Sequence, residues 1–245
     1  MPRWPPDGPS PAPSPSPSST IRKERASMVE PYLRQSPLAH LGLDARAVSD
    51  PGSAAVSLCE RRFFALVNLR GRPRDAAFLD AIESALTMRL PTTANTTATA
   101  ADGAVSALWL GPDEWWITAA DPAPEAGPRL AARLREALGG RPGAVTDISE
   151  SRACIRIAGP RARAVLQKGC PLDLHASVFG AGQCAQSHVS KADVVLHLVA
   201  ENGTNGAAPG AATFDVYVLR SFAEYLWRWL ADAGREYGVA IGPSR

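Results

Sequence analysis

From Ser57 onward the apolar positions of this chain change period in a regular order: two, then three to four, then two again. FFALVNL (63–69) is rich in strand formers. GRPRDAAFLDAIESAL follows it with Phe78, Leu79, Ile82 and Leu86 at helical spacing behind Pro73, so a strand leads into a helix. LPTTANTTATAADG is polar and reads as a loop. VSALWLG and WWITAA then flank GPDE, whose glycine, proline and aspartate favour a turn, and the three together predict a hairpin. PRLAARLREALGG sets Leu130, Leu134 and Leu138 on one face, begins with Pro128 and stops at Gly139. GAVTDIS closes the unit as a strand.

The same order then repeats. RACIRIAG alternates as a strand, and PRARAVLQKG predicts a short helix with Pro160 in its first turn, Ala162, Val165 and Leu166 facing inward, and Gly169 as a left-handed stop. CAQSHVS and DVVLHLVA predict a second hairpin around Lys191 and Ala192, and TFDVYVL adds a strand after the loop NGTNGAAPGAA. SFAEYLWRWLADAGREYG is the last helix, with Ser221 and Glu224 as a capping box and Phe222, Tyr225, Leu226, Trp229 and Leu230 on one face. Two successive strand-helix-hairpin-helix units imply an α+β domain built from two ferredoxin-like halves, at about residues 55–143 and 144–240. Each half is an antiparallel sheet covered by its helices.

Composition narrows the classes. The chain has 245 residues, 45% of them hydrophobic, which is enough for a sizeable core. Ahead of the periodic region stands PRWPPDGPSPAPSPSPSST, where proline denies both helix and sheet and little apolar surface offsets the entropy of ordering. Residues 1–27 are therefore expected to be disordered, and Met28 to be the physiological start of a domain running 28–245. The segment has no apolar h-region of a secretory signal and is not an Arg-rich amphipathic transit peptide. Lys plus Arg number 26 against 24 Asp plus Glu, without long runs of either sign, so neither nucleic acid nor an anionic membrane is expected as partner. The longest uncharged apolar stretches are far shorter than the ~20 residues of a membrane span. Four cysteines without a CxxC pair read as reduced thiols of a cytoplasmic protein.

Candidate chemistry adds less than its residues first suggest. Cys170, His175, Cys184 and His188 form C-x4-H-x8-C-x3-H, the right ligand types for zinc. If 184–189 is a strand, however, Cys184 and His188 lie ~13 Å apart at ~3.3 Å per residue, too far for one tetrahedral ion. FGAGQCA fits G-x-G-x-x-A through Gly180, Gly182 and Ala185, but a strand-like segment follows where a dinucleotide site needs a helix. Cys170, just past a helix stop, is expected to be a packing residue, since a nucleophile with His175 as base would also need an electropositive setting and a third orienting group. No catalytic, cofactor-binding or metal-ligating residue is assigned. Trp115 and Trp116 are neighbours in a strand and point to opposite faces, and Trp227 lies off the Phe222 and Trp229 stripe. These three are the candidate subunit-interface residues; the alternative is a second packed layer over the sheet.

Several segments together resemble a known family. They are RQSPLAHLGL, LGPDEWWI, VTDISESRACIRIAGPRARAVLQKGCPLDLH, GQCAQSHVSKADVVLH and TFDVYVLRSFAEYLWRWL, and they look like the gamma subunit of heterotetrameric sarcosine oxidase from about Met28 to Tyr237. Within them, Asp147, Ser149, Gly159, Pro160, Ala162 and Leu166 form D-x-S followed by G-P-x-A-x-x-x-L, which resembles the wider fold of the glycine-cleavage T-protein and its folate-binding relatives. The resemblance implies a T-protein-like fold and a non-flavin structural subunit. The whole enzyme would oxidatively demethylate sarcosine to glycine, with hydrogen peroxide and methylene-tetrahydrofolate formed. It also implies alpha, beta and delta subunits as partners, with FAD, FMN, NAD, zinc and tetrahydrofolate held by them and none by this chain. The rival is a free-standing folate-binding protein of the same fold. Such proteins carry K-G-C-Y-x-G-Q-E, whereas Lys168, Gly169 and Cys170 are followed here by Pro171, Leu172 and Asp173. An independent aminomethyltransferase is a third reading, against which stands the shortness of the chain.

Overall fold

A computed structural model describes residues 34–50, 52–201 and 210–244; the expectation of disorder over 1–27 falls outside them. Strands β1 (Val56–Arg61) and β2 (Ala65–Gly71) are followed by helix α1 (Ala76–Leu86), β3 (Thr97–Thr99), β4 (Val105–Gly111), β5 (Glu114–Ala119), α2 (Ala126–Leu138) and β6 (Gly143–Asp147). Then come β7 (Arg152–Gly159), α3 (Ala162–Gln167), β8 (Cys184–Val189), β9 (Ala192–Glu201), β10 (Ala212–Leu219), α4 (Ala223–Ala233) and β11 (Val239–Ile241). Local chemistry explains the ends of the better-marked elements. Asp75 caps α1 by accepting from the Ala77 and Phe78 amides, and Gly139, at φ 53°, ends α2 in the left-handed region as its position requires.

The strands form two sheets, ordered β3-β4-β5-β2-β6 and β11-β1-β7-β10-β9-β8. The first has the ferredoxin-like order, with β6 antiparallel to β2 and the hairpin β4–β5 on the other side. In the second, β7, β10 and β9 occupy the places of β2, β5 and β4, while β8 is an added edge like β3. The place of β6 is taken by β1, antiparallel to β7, and β11 is pushed outside it in a parallel pair, Val56 opposite Val239. The two halves are therefore interlocked: β1 precedes the first half in sequence but completes the sheet of the second. Three strands, β1, β3 and β11, were not expected. β3 sits in the polar stretch read as loop, and β11 is three residues long; neither carries a periodic signal.

Four layers result. Helices α1 and α2 cover one sheet around Phe78, Ile82, Trp115 and Leu134, and α3 and α4 cover the other around Leu166, Phe214, Leu226 and Leu230. Leu38 and Leu43, from two short 3-10 turns ahead of β1, are buried in this second core. Between the sheets Phe64, Leu66, Leu108, Trp116, Cys154, Val195 and Tyr217 form a third core. This layer corrects the expected outward tryptophans. Trp115 and Trp116 do point to opposite faces, but both faces are covered, one by helices and one by the other sheet, so the two are 0% and 5% exposed. The alternative of a second packed layer is the one realised.

Helix α4 is rotated from the stripe expected of it. Its buried positions are Ala223, Leu226, Trp227 and Leu230, while Phe222 and Tyr225 are exposed, so Trp227 is a core residue. Both stripes have helical spacing and differ by one residue. Inward, Trp227 removes a large apolar surface from water; outward, Tyr225 keeps its hydroxyl within 2.8 Å of the Ser190 hydroxyl. Nor is there a capping box: Ser221 lies in a 3-10 turn, Arg220–Phe222, and Glu224 turns outward to Arg228 and His40. Gly169 also differs in its reason. It is not left-handed; a Cβ there would come within 2.6 Å of the Trp229 ring, so the residue is small because α4 crosses close by.

Candidate functional site between the two sheets

The four residues with zinc-ligand chemistry are not brought together. Cys170 is buried on the helix side of the second sheet, beside Leu166 and Leu174, and its amide donates to the Leu166 carbonyl at 2.9 Å as the chain leaves α3. Cys184 is buried on the opposite side, its thiol 3.3 Å from the Trp109 carbonyl; burial pushes the thiol up to about 12. His175 and His188 are both exposed, and the His175 ring is engaged by Ser177, Nδ1 to Oγ at 2.7 Å. Among the described residues no group of three or more His, Cys, Asp or Glu side chains could hold a metal ion. FGAGQCA runs into β8, a strand, with Gly182 at φ 81° in the turn. No helix of the described residues is long and apolar enough to cross a membrane.

What the fold does assemble is a polar seam on the sheet-facing side of the second sheet. Strand registry sets out two rows of cross-strand neighbours: Cys59, Arg156, Asp215, His197 and Cys184, and beside them Arg61, Cys154, Tyr217, Val195 and Gln186. Asp215 is at its centre, 1% exposed. Its carboxylate accepts from Arg156 through Nε at 2.7 Å and Nη2 at 2.9 Å, and from Arg61 Nη1. Burial alone would raise the Asp215 carboxyl, but the hydrogen bonds of Arg156 and the nearby Arg61 hold it below the usual carboxylate range. Burial likewise opposes the charge of Arg61, yet Asp215 beside it raises that guanidinium above its ordinary value.

The remaining members of the seam are kept neutral. Burial pushes the Cys154 thiol and the Tyr217 hydroxyl well up, and pushes His197 down to about 4. Among the described residues His197 Nδ1 has no hydrogen-bond partner. A buried thiol that stays protonated is a poor nucleophile, and an imidazole that stays neutral with one nitrogen unpaired has no orienting group. The seam is thus a charge-paired cluster with neutral neighbours, in which Asp215 on β10 ties Arg156 on β7 and Arg61 on β1 together across three strands of one sheet. The sequence contained its residues in TFDVYVL, RACIRIAG and DVVLHLVA, where an Asp, an Arg and a His interrupt apolar alternation. That interruption is the signal that could have marked the seam.

Comparison with known proteins fits this geometry. Of solved structures, the glycine cleavage system aminomethyltransferase T of Bartonella henselae superposes with a TM-score of 0.54 at 18% identity, over 86% of this chain and 59% of that one. The fold is therefore T-protein-like. A chain of the heterotetrameric sarcosine oxidase of Corynebacterium sp. U-96, solved with pyrrole 2-carboxylate, matches with a TM-score of 0.70 at 32% identity, over 85% of this chain and 98% of that one. The family model of the sarcosine oxidase gamma subunit matches residues 70–236. Sarcosine oxidase subunit gamma of Corynebacterium sp. (strain U-96) is 33% identical over 208 residues, 85% of this chain and 93% of the relative, and that of an Arthrobacter species is 37% identical over 84% and 92%. The chain belongs to the sarcosine oxidase gamma subunit family.

Proposed function

We propose that this chain is a non-flavin structural subunit of a cytoplasmic heterotetrameric sarcosine oxidase, an oxidoreductase that demethylates sarcosine to glycine with hydrogen peroxide and methylene-tetrahydrofolate formation. Its partners are the alpha, beta and delta subunits, and the FAD, FMN, NAD, zinc and tetrahydrofolate of the assembly reside in them. The observation that carries the structural role is the seam. The titratable groups that the fold gathers are spent on one another around Asp215, and its thiols and imidazole are held neutral by burial. The coverage of 93% and 98% of two relatives supports the subunit reading.

The test is co-expression with the other three subunits. The chain purified alone is expected to be colourless and to bind no tetrahydrofolate by calorimetry, and to appear in a four-subunit complex when co-expressed. Micromolar folate binding by the isolated chain would support the free-standing folate reading instead. Replacing Cys170 with Ala and His175 with Gln should leave sarcosine turnover of the intact complex within a few-fold, whereas a thousandfold loss would return these residues to the chemistry.

A further inference from the structure

Strand β1 leaves the second sheet and β2 enters the first through Arg61, Arg62, Phe63 and Phe64. This sharp connection forces Phe63 into the left-handed region, φ 53°, an uncommon backbone for a bulky side chain. Beside it is a cavity of about 20 Å³, partly open to solvent, whose wall carries five arginines, Arg34, Arg61, Arg62, Arg152 and Arg220, against two carboxylates, Glu60 and Glu150. Four of the five are matched. Arg34 and Arg220 meet Glu150, Arg62 meets Glu60 and Asp44, and Arg61 meets the buried Asp215.

Arg152 is the exception. Among the described residues it donates only to the Ser151 carbonyl and hydroxyl, at 3.4 and 3.3 Å and both through Nη1, while its guanidinium lies 5.3 Å from the centre of the Trp116 ring. Burial pushes its pKa down with no carboxylate to offset it. A stacked, partly desolvated guanidinium with a free edge is a preformed acceptor of a carboxylate. Beside Arg152, directly opposite it across the β7–β10 ladder, Leu219 is an apolar side chain left 40% exposed. An arginine without a carboxylate partner, over an aromatic and beside an exposed leucine, has the anatomy of an interface anchor.

We infer that the cavity at the β1–β2 connection is a docking socket in which Arg152 receives a carboxylate side chain of a neighbouring subunit, with the exposed Leu219 packing beside it. The inference rests on the subunit reading above. A space of this volume admits about one water-sized polar group, which suits the oxygen end of an aspartate or glutamate and excludes a phosphate ester or a ring. The excess of arginine sets the sign of the partner's charge.

The full-length chain is co-expressed with its three partners as wild type, Arg152→Met, Arg152→Lys and Leu219→Asp, and assembly is followed by native mass spectrometry on dilution at low and moderate salt. Arg152→Met is expected to weaken association at least tenfold and to reduce its salt dependence, with Arg152→Lys intermediate. Leu219→Asp places a carboxylate beside Arg152 at an exposed position where the fold tolerates it, and should weaken association comparably. Melting of the isolated variants should match wild type. Association of both Arg152→Met and Leu219→Asp equal to wild type would overturn the socket while leaving the subunit reading intact, whereas failure of wild type to assemble would overturn both. Submillimolar binding of acetate or inorganic phosphate by the isolated wild-type chain, lost in Arg152→Met, would also overturn it by assigning the cavity to a free anion.

Discussion

The two faces of the second sheet are built from the same strands but obey different chemistry. Toward α3 and α4, β10 presents Phe214, Val216 and Val218, all at most 1% exposed, in an aliphatic core. Toward the other sheet it presents Asp215 and Tyr217, and the neighbouring strands add Arg156, Arg61, His197 and Cys154. A helix covers an apolar face without directional demand, and small errors of register cost little. On the face between the sheets the charges pair along their own sheet, across β1, β7 and β10, and fix the register of those strands, because any other leaves an ion buried without its partner.

The contrast breaks most clearly at Asp215. Asp215→Ala leaves two guanidiniums without their shared partner and should cost ~3–5 kcal/mol in denaturant unfolding. Replacing Asp215, Arg61 and Arg156 together with Leu, Met and Met should recover most of that loss, since the apolar layer that remains needs no pairing. On the helix face Val216→Ala should cost less, about 2 kcal/mol, as lost burial plus a small cavity. Gly169→Ala tests the close crossing of α4. It should cost ~1–3 kcal/mol by overpacking the Trp229 ring, and much less in a Trp229→Leu background.

Acid should act through the seam as well. His197 titrates near its ordinary 6.5 in the unfolded chain and at about 4 in the folded one, so between these values the unfolded chain binds the proton first. Stability then falls as pH falls, by at most ~1.4 kcal/mol per pH unit across that window. The depressed Asp215 carboxyl adds a further loss as pH drops below its unfolded value of 3.8 toward its folded one. His197→Phe should flatten the profile between pH 6.5 and 4 and change stability at pH 7 by under about 1 kcal/mol, because the Nδ1 it removes bonds to no described residue. The smallest effect concerns the thiols. All four cysteines are buried, and a thiol reagent should label them only as the chain unfolds.

Legibility followed how local the cause was. The strands FFALVNL, WWITAA and TFDVYVL and the helix ending at Gly139 were readable because alternation, helical spacing and turn residues act within a few positions. Trp115, Trp116 and Trp227 were not, because nothing near them in sequence states whether a face will meet water, a helix or another sheet. The stripe on α4 was ambiguous for the same reason: two registers one residue apart are equally amphipathic alone, and Trp227 faces inward only because the second sheet lies beneath it. Arg152 and Asp215 could be seen as charges in strands, but not that one would be paired and the other's partner left open.

The amino-acid sequence by itself determined the order of the strands and helices that carry a periodic signal, leaving out β1, β3 and β11, and with it the T-protein-like α+β class and membership in one subunit family, since each depends on local periodicity or on residue identity along the chain. Tertiary structure alone decided that β1 enters the sheet of the second half, that the tryptophans are covered, that Gly169 gives room to Trp229, and that Asp215 sits between two arginines. Each of these is a contact between residues distant in sequence, and its energy exists only once the strands or layers that carry them meet.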